Sequence, residues 1–162
     1  MKELKISCTF QSVDSENELS TADRYLLSES RKAAANAYAP YSHFKVGAAL
    51  RLANGKIIHG NNQENVAYPS GLCAERVALF YASATYPEEL IEAIAVTADP
   101  VNFQLTEPVT PCGSCRQVMA ESEKKQNNDI RVIMDGPDGK VWISENVKAL
   151  LPLMFRAEEL KK

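Results

Sequence analysis

The spacing of apolar and polar positions changes period several times along the chain, and each change predicts an element. Leu4, Ile6, Cys8 and Phe10 alternate with Lys5, Ser7 and Thr9, the two-residue period of a half-buried strand, and the polar run 11–18 reads as a loop or arm. From Leu19 the period lengthens. Leu19, Ala22, Leu26, Ala33 and Ala37 share one face of a helix that Ser20 caps, Asp23 supports at its positive end and Pro40 stops, about five turns in all. Segments 44–50 and 56–60 flank Asn54-Gly55, a tight hairpin turn, with the first helix over one face of the pair. Apolar runs at 91–96, 130–134 and 141–143 predict three further strands, the last two joined by the turn 135–139. Helical patterns begin at Cys73 and Cys112, and a final helix over 145–151 ends at Pro152. A hairpin followed by strand–helix alternation predicts an α/β fold, a mixed five-stranded sheet sandwiched by helices. Residues 1–19 are expected to form an N-terminal strand and arm, and 20–162 a single domain.

Length and charge narrow the function. A chain of 162 residues buries about 70% of its unfolded surface and needs no metal staple to fold, so a bound metal is free for chemistry. The net charge of −3 offers nothing to a phosphate backbone, and no apolar run approaches the ~20 residues of a membrane helix. No nucleic-acid or membrane partner is expected. The charged start, with Lys2, Glu3 and Lys5, lacks the apolar run of a secretory signal, which predicts a cytoplasmic protein. In that reducing compartment four cysteines read as thiols or ligands rather than bridges.

Three of those cysteines carry the chemistry. Cys73-Ala74-Glu75-Arg76 and Pro111-Cys112-Gly113-Ser114-Cys115-Arg116 each open a helical pattern, where free N–H groups and the helix dipole lower thiol pKa. Cys73, Cys112 and Cys115 make a three-thiolate zinc set with the fourth position open to water, whose pKa zinc brings to about 7. Glu75, two residues beyond Cys73, can face that position without ligating and is assigned as the proton shuttle. Arg76 and Arg116 are expected to offset the excess negative charge of three thiolates on one Zn²⁺. Two plainer readings compete. A closed structural site would draw its fourth ligand from Cys8, His43 or His59, and a dithiol redox pair would use Cys112 and Cys115 alone and leave Cys73 and Glu75 without a role.

With these motifs in place, the chain over about 33–155 resembles the small, three-cysteine class of zinc-dependent cytidine deaminases. The resemblance is carried by Tyr38-Ala39-Pro40-Tyr41-Ser42-His43-Phe44-Lys45-Val46-Gly47-Ala48-Ala49-Leu50, by Asn62-Gln63-Glu64-Asn65, by both cysteine segments, and by Leu150-Leu151-Pro152 with Phe155. It implies hydrolysis of cytidine and 2′-deoxycytidine to the uridine products with release of ammonia, in pyrimidine salvage, with one zinc per subunit. It further implies that Asn62 and Glu64 bind the ribose hydroxyls, that Phe44 packs on the pyrimidine, and that the backbone at Ala74 recognises the cytosine carbonyl. The Thr110 carbonyl would lie near the departing ammonia. Members of this class are homotetramers in which a phenylalanine after the Leu-Leu-Pro segment closes the neighbour's pocket, here Phe155. Gln63 and Asn61 depart from the usual pattern, an aliphatic residue and often a cysteine; Gln63 should face away from Asn62 and Glu64.

Overall fold

The computed structural model describes residues 1–156 and 160. Its elements in chain order are β1 (Gln11–Val13), α1 (Thr21–Ala35), β2 (Phe44–Leu52), β3 (Ile57–Asn61), α2 (Ala74–Thr85), β4 (Ile91–Pro100), α3 (Gly113–Gln126), β5 (Arg131–Asp135) and β6 (Val141–Ser144). The strands form one sheet in the order β1-β6-β5-β4-β2-β3. β4 and β5 are parallel, joined through α3, and all other neighbours are antiparallel. None of the described helices is long and apolar enough to cross a membrane.

Alternation within the strands splits the core into two layers. Leu50, Ile94, Val96, Val132 and Met134 face α2 and α3, meeting Ala78, Leu79, Ala82 and Met119. The intervening Ala49, Ala93, Ala95 and Ile133 face Leu26 and Leu27 of α1. The mixed sheet between helical layers is the architecture the pattern predicts, with six strands rather than five.

The sixth strand is a correction. Residues 4–10 alternate as a strand would, yet they lie outside every strand with their side chains exposed, and pairing begins at Gln11, opposite Ile143 of β6. Period alone could not locate the edge that β1 needs. The supposed loop after it contains β1 and a 3-10 turn, Glu16–Glu18, closed by a capping box between Ser15 and Glu18. Helix α1 starts as expected, with Asp23 N–H donating to Ser20 Oγ at 3.1 Å, but ends at Ala35, several residues short of Pro40. The last predicted helix shrinks to a 3-10 turn, Val147–Ala149, capped by Asn146.

Two glycines set how closely the helices approach. A Cβ on Gly47 would stand 2.0 Å from Ser30 O in α1, and one on Gly60 would stand 2.3 Å from Ala74 O and 2.7 Å from Ala78 N in α2. Backbone cannot yield as a side chain can. Gly60→Ala is therefore expected to cost about 3 kcal/mol or more, read as a lowered denaturant midpoint, because relief requires moving the first turn of α2. An unchanged midpoint would show that this helix start is not seated on β3.

Candidate active site

Both predicted cysteine segments sit at helix starts. Cys73 is the N-cap of α2, Cys112 is the N-cap of α3, and Cys115 lies one turn further on, fully buried. Neither cap makes a side-chain cap hydrogen bond, so both sulfurs are turned to other use. Cys73 Sγ lies 3.8 Å from Cys112 Sγ, and Cys112 Sγ lies 3.5 Å from Cys115 Sγ. Ligands about 2.3 Å from a tetrahedral zinc stand about 3.8 Å apart, so this triangle fits the metal. Among the described residues no fourth side chain joins the cluster. Cys8, His43 and His59 lie outside it, which removes the closed-site reading. The redox reading also loses ground, since Cys73 shares the cluster with the other two.

The charges around the sulfurs are matched to that use. The Cys115 thiol, and after it the Arg76 guanidinium, hold Cys73 far below the ordinary thiol range, at about 5. Hydrogen bonding to Cys73 and, after it, burial push the Cys115 thiol up. Arg76 Nη2 donates to Cys73 Sγ at 3.4 Å, as expected of a charge partner. Its Nε is the one buried side-chain polar atom without a hydrogen-bond partner among the described residues, a cost accepted for placing the cation beside sulfur.

Arg116 makes its side-chain hydrogen bonds away from the sulfurs. Its guanidinium donates to Pro111 O, Leu150 O and Thr110 Oγ1, and to no sulfur. Consecutive helical residues point about 100° apart, so Arg116 and Cys115 project in different directions.

Glu75 is 4% exposed in the first turn of α2. Burial pushes its carboxyl above the usual range and the neighbouring Cys73 thiolate adds to the effect, while its own backbone N–H and Cys115 act in the opposite sense. A carboxyl poised this way exchanges protons near neutrality more readily than an exposed one.

A pocket of about 810 Å³ opens over this floor, lined by Cys73, Glu75, Arg76 and Cys112 below and by Phe44, Asn62, Glu64 and Thr110 around it. Glu64 is held by the turn before β2. Ser42 Oγ donates to one carboxylate oxygen, and the N–H groups of Tyr41 and Ser42 donate to the other at 2.9 and 3.3 Å. These donors, Ser42 Oγ foremost, keep Glu64 below the usual carboxylate range and hence ionised. Asn62 spans onto β2, accepting from Val46 N–H at 2.8 Å and donating to Phe44 O at 2.9 Å. Its amide keeps one further N–H for a ligand.

Ala74, between the pocket-lining Cys73 and Glu75, is wholly buried and does not itself line the pocket. Phe155 is 72% exposed and does not line this pocket; its backbone N–H and carbonyl pair with the Gln117 amide at 3.3 Å each. Phe103 and Tyr68 also line the pocket and were not foreseen. The Phe103 ring lies parallel to Phe44, centroids 5.8 Å apart. A lone aromatic in the polar stretch 99–107 was the available signal.

Comparison with known proteins agrees with this geometry. The family profile described as "Cytidine and deoxycytidylate deaminase zinc-binding region" matches residues 20–128. The chain is 42% identical over 135 residues to a cytidine deaminase of Halalkalibacterium halodurans, covering 83% of this chain and 95% of that one. It is 43% identical over 135 residues to a cytidine deaminase of Sporosarcina psychrophila, covering 83% and 92%. Among solved structures, cytidine deaminase from Burkholderia pseudomallei superposes with a TM-score of 0.69 at 41% identity, covering 81% of this chain and 97% of that one. Three thiols at zinc spacing, a buried carboxyl beside them and relatives matched nearly end to end lead to one assignment: the chain belongs to the cytidine and deoxycytidylate deaminase family.

Proposed function

We propose that this protein hydrolyses cytidine and 2′-deoxycytidine to uridine and 2′-deoxyuridine with release of ammonia, serving pyrimidine salvage in the cytoplasm as a homotetramer with one zinc per subunit. The observation that carries the proposal is the buried Glu75 carboxyl beside the three-sulfur cluster, at the floor of a pocket whose rim holds an ionised Glu64. The relatives named cytidine deaminase support the substrate class.

Cys73, Cys112 and Cys115 hold the metal, and zinc bound there supplies Lewis acidity that lets water ionise near neutral pH. Glu75 takes the proton that the attacking water gives up and delivers it to the ring nitrogen N3. Water oxygen bonds to C4, Glu75 takes the second proton from the resulting C4 hydroxyl and passes it to the amine, and the C4–amine bond breaks as the C4 carbonyl forms, releasing ammonia. The carboxyl ends as it began. Arg76 stabilises the Cys73 thiolate throughout. Glu64 and the free Asn62 N–H bind the sugar hydroxyls, Phe44 packs on the pyrimidine, the Ala74 backbone takes the cytosine carbonyl, and the Thr110 carbonyl accepts from the departing amine. Phe155, apolar and exposed, is suited to close the pocket of a neighbouring subunit.

Substrate comparison tests this reading. A site that holds the sugar through Glu64 is expected to turn over cytidine and reject free cytosine, and Glu64→Ala is expected to raise KM for cytidine about 10- to 100-fold with kcat less affected. Equal turnover of cytosine and cytidine by the wild-type protein would overturn the nucleoside assignment.

A further inference from the structure

We propose that Arg116 is a positioning residue of the metal centre, acting through its guanidinium fork rather than its charge to lock the ligand-bearing segment 110–112 against the C-terminal segment 150–155. One side chain meets three acceptors on two separate stretches of chain. Nε donates to Pro111 O at 2.7 Å, Nη2 to Thr110 Oγ1 at 3.3 Å and Nη1 to Leu150 O at 3.1 Å. Pro111 has no N–H with which to anchor itself, and the Cys112 side chain caps nothing, so the approach to α3 lacks its usual fastenings. Arg116 supplies them from within the helix: its backbone N–H bonds Cys112 O at 2.9 Å while its side chain reaches back to Pro111 O. The carbonyls of Pro111 and Cys112, on either side of the Cys112 nitrogen and α-carbon, are thus both bound by one residue.

The surroundings strengthen the clamp. Arg116 lines a cleft of about 290 Å³ with Phe10, Met134, Trp142, Leu150 and Pro152. The side chains of Phe10, Met134, Trp142, Leu150 and Pro152 offer the guanidinium no oxygen acceptor to compete with the three it binds. The next residue works in the same direction, since the Gln117 amide pairs with the backbone of Phe155. Both residues directly after the buried Cys115 therefore face the C-terminal segment. Arg76, by contrast, donates to the Cys73 sulfur, so the two arginines divide the work: Arg76 for charge, Arg116 for shape. A lysine could keep the charge at Arg116 but could not span three acceptors in three directions.

The metal readout of the test rests on the zinc reading of the three thiols. Zinc release to a chromogenic chelator would be timed for the loaded wild-type, Arg116→Lys and Arg116→Gln proteins, beside the unfolding rate of each. Both variants are expected to release zinc about 10- to 100-fold faster than wild type, and faster than they unfold. Wild-type release from Arg116→Lys would overturn the proposal, since charge alone would then suffice. A second measurement needs no variant. In the folded wild-type protein the Arg116 Nε–H is expected to exchange with solvent far more slowly than that of the exposed arginines; rapid exchange would overturn the clamp even if Arg116→Lys failed to fold. Absence of zinc from the wild-type protein would instead defeat the zinc reading, and Nε–H exchange would still decide the clamp.

Discussion

Replacing Glu75 with glutamine is expected to leave zinc bound and cut turnover of cytidine by about 10³- to 10⁴-fold, the range lost when a positioned acid–base group is removed. Glutamine matches glutamate in size and keeps a hydrogen-bonding head, so the first turn of α2 should retain its seat on Gly60. What it loses is the ability to take up and give back a proton. The same change removes a carboxyl whose ionised form is disfavoured by burial and by the Cys73 thiolate. Glu75→Gln is therefore expected to melt no lower than wild type, and somewhat higher if the site holds strain for the sake of its chemistry. Zinc content, turnover and melting temperature measured on one preparation separate these effects. Near-normal turnover with full zinc would remove Glu75 from proton transfer.

Replacing Cys112 with alanine should act through the metal instead. Two thiolates remain, and a site that loses one of three protein ligands is expected to fall below about a tenth of wild-type zinc occupancy at micromolar metal, with activity falling in step. The fold should survive. Both core layers are built from side chains of the sheet and helices, with Leu26, Leu27, Leu50, Ile94, Ile133 and Met134 all buried to 1% exposure or less, and Cys112 itself is exposed. The melting temperature should drop only by the stabilisation that zinc binding adds to the native state. Removing zinc from the wild-type protein with a chelator should reproduce that drop, and returning zinc should reverse it for wild type but not for the variant. Full zinc occupancy in Cys112→Ala would overturn the ligand assignment.

Much of the metal centre was legible because it is written in local sequence. A thiol at a helix start is recognisable from the helical pattern on its C-terminal side, and Cys73, Cys112 and Cys115 converge as expected because both helices begin on the same side of the sheet. The hairpin was equally plain, since Asn54-Gly55 permits the turn that Gly55 makes at φ +82°. Features that depend on partners distant in sequence were not legible. The alternation at 4–10 is genuine, but a strand exists only where an edge accepts it, and β6 accepts Gln11–Val13. The 145–151 stretch keeps a helical pattern, yet only a 3-10 turn forms, with the buried Glu123 carboxylate accepting from the Val147 and Ile130 N–H groups. The hydrogen bonding of Arg116 was hidden for the same reason: its acceptor Leu150 O lies 34 residues away. Phe103 was passed over because nothing local ties it to Phe44. Helix spacing on the sheet, set by Gly47 and Gly60, could be seen only once α1 and α2 were in place.

The most direct test of the proposed activity is the fall in cytosine absorbance when the zinc-loaded wild-type protein meets cytidine, with ammonia measured in the same reaction. Loss of absorbance with uridine and ammonia formed in equal amounts is the predicted result. Unchanged cytidine, with zinc shown by X-ray absorption to be bound by three sulfurs and one light atom, would contradict it and would assign this site to a different amino-pyrimidine substrate.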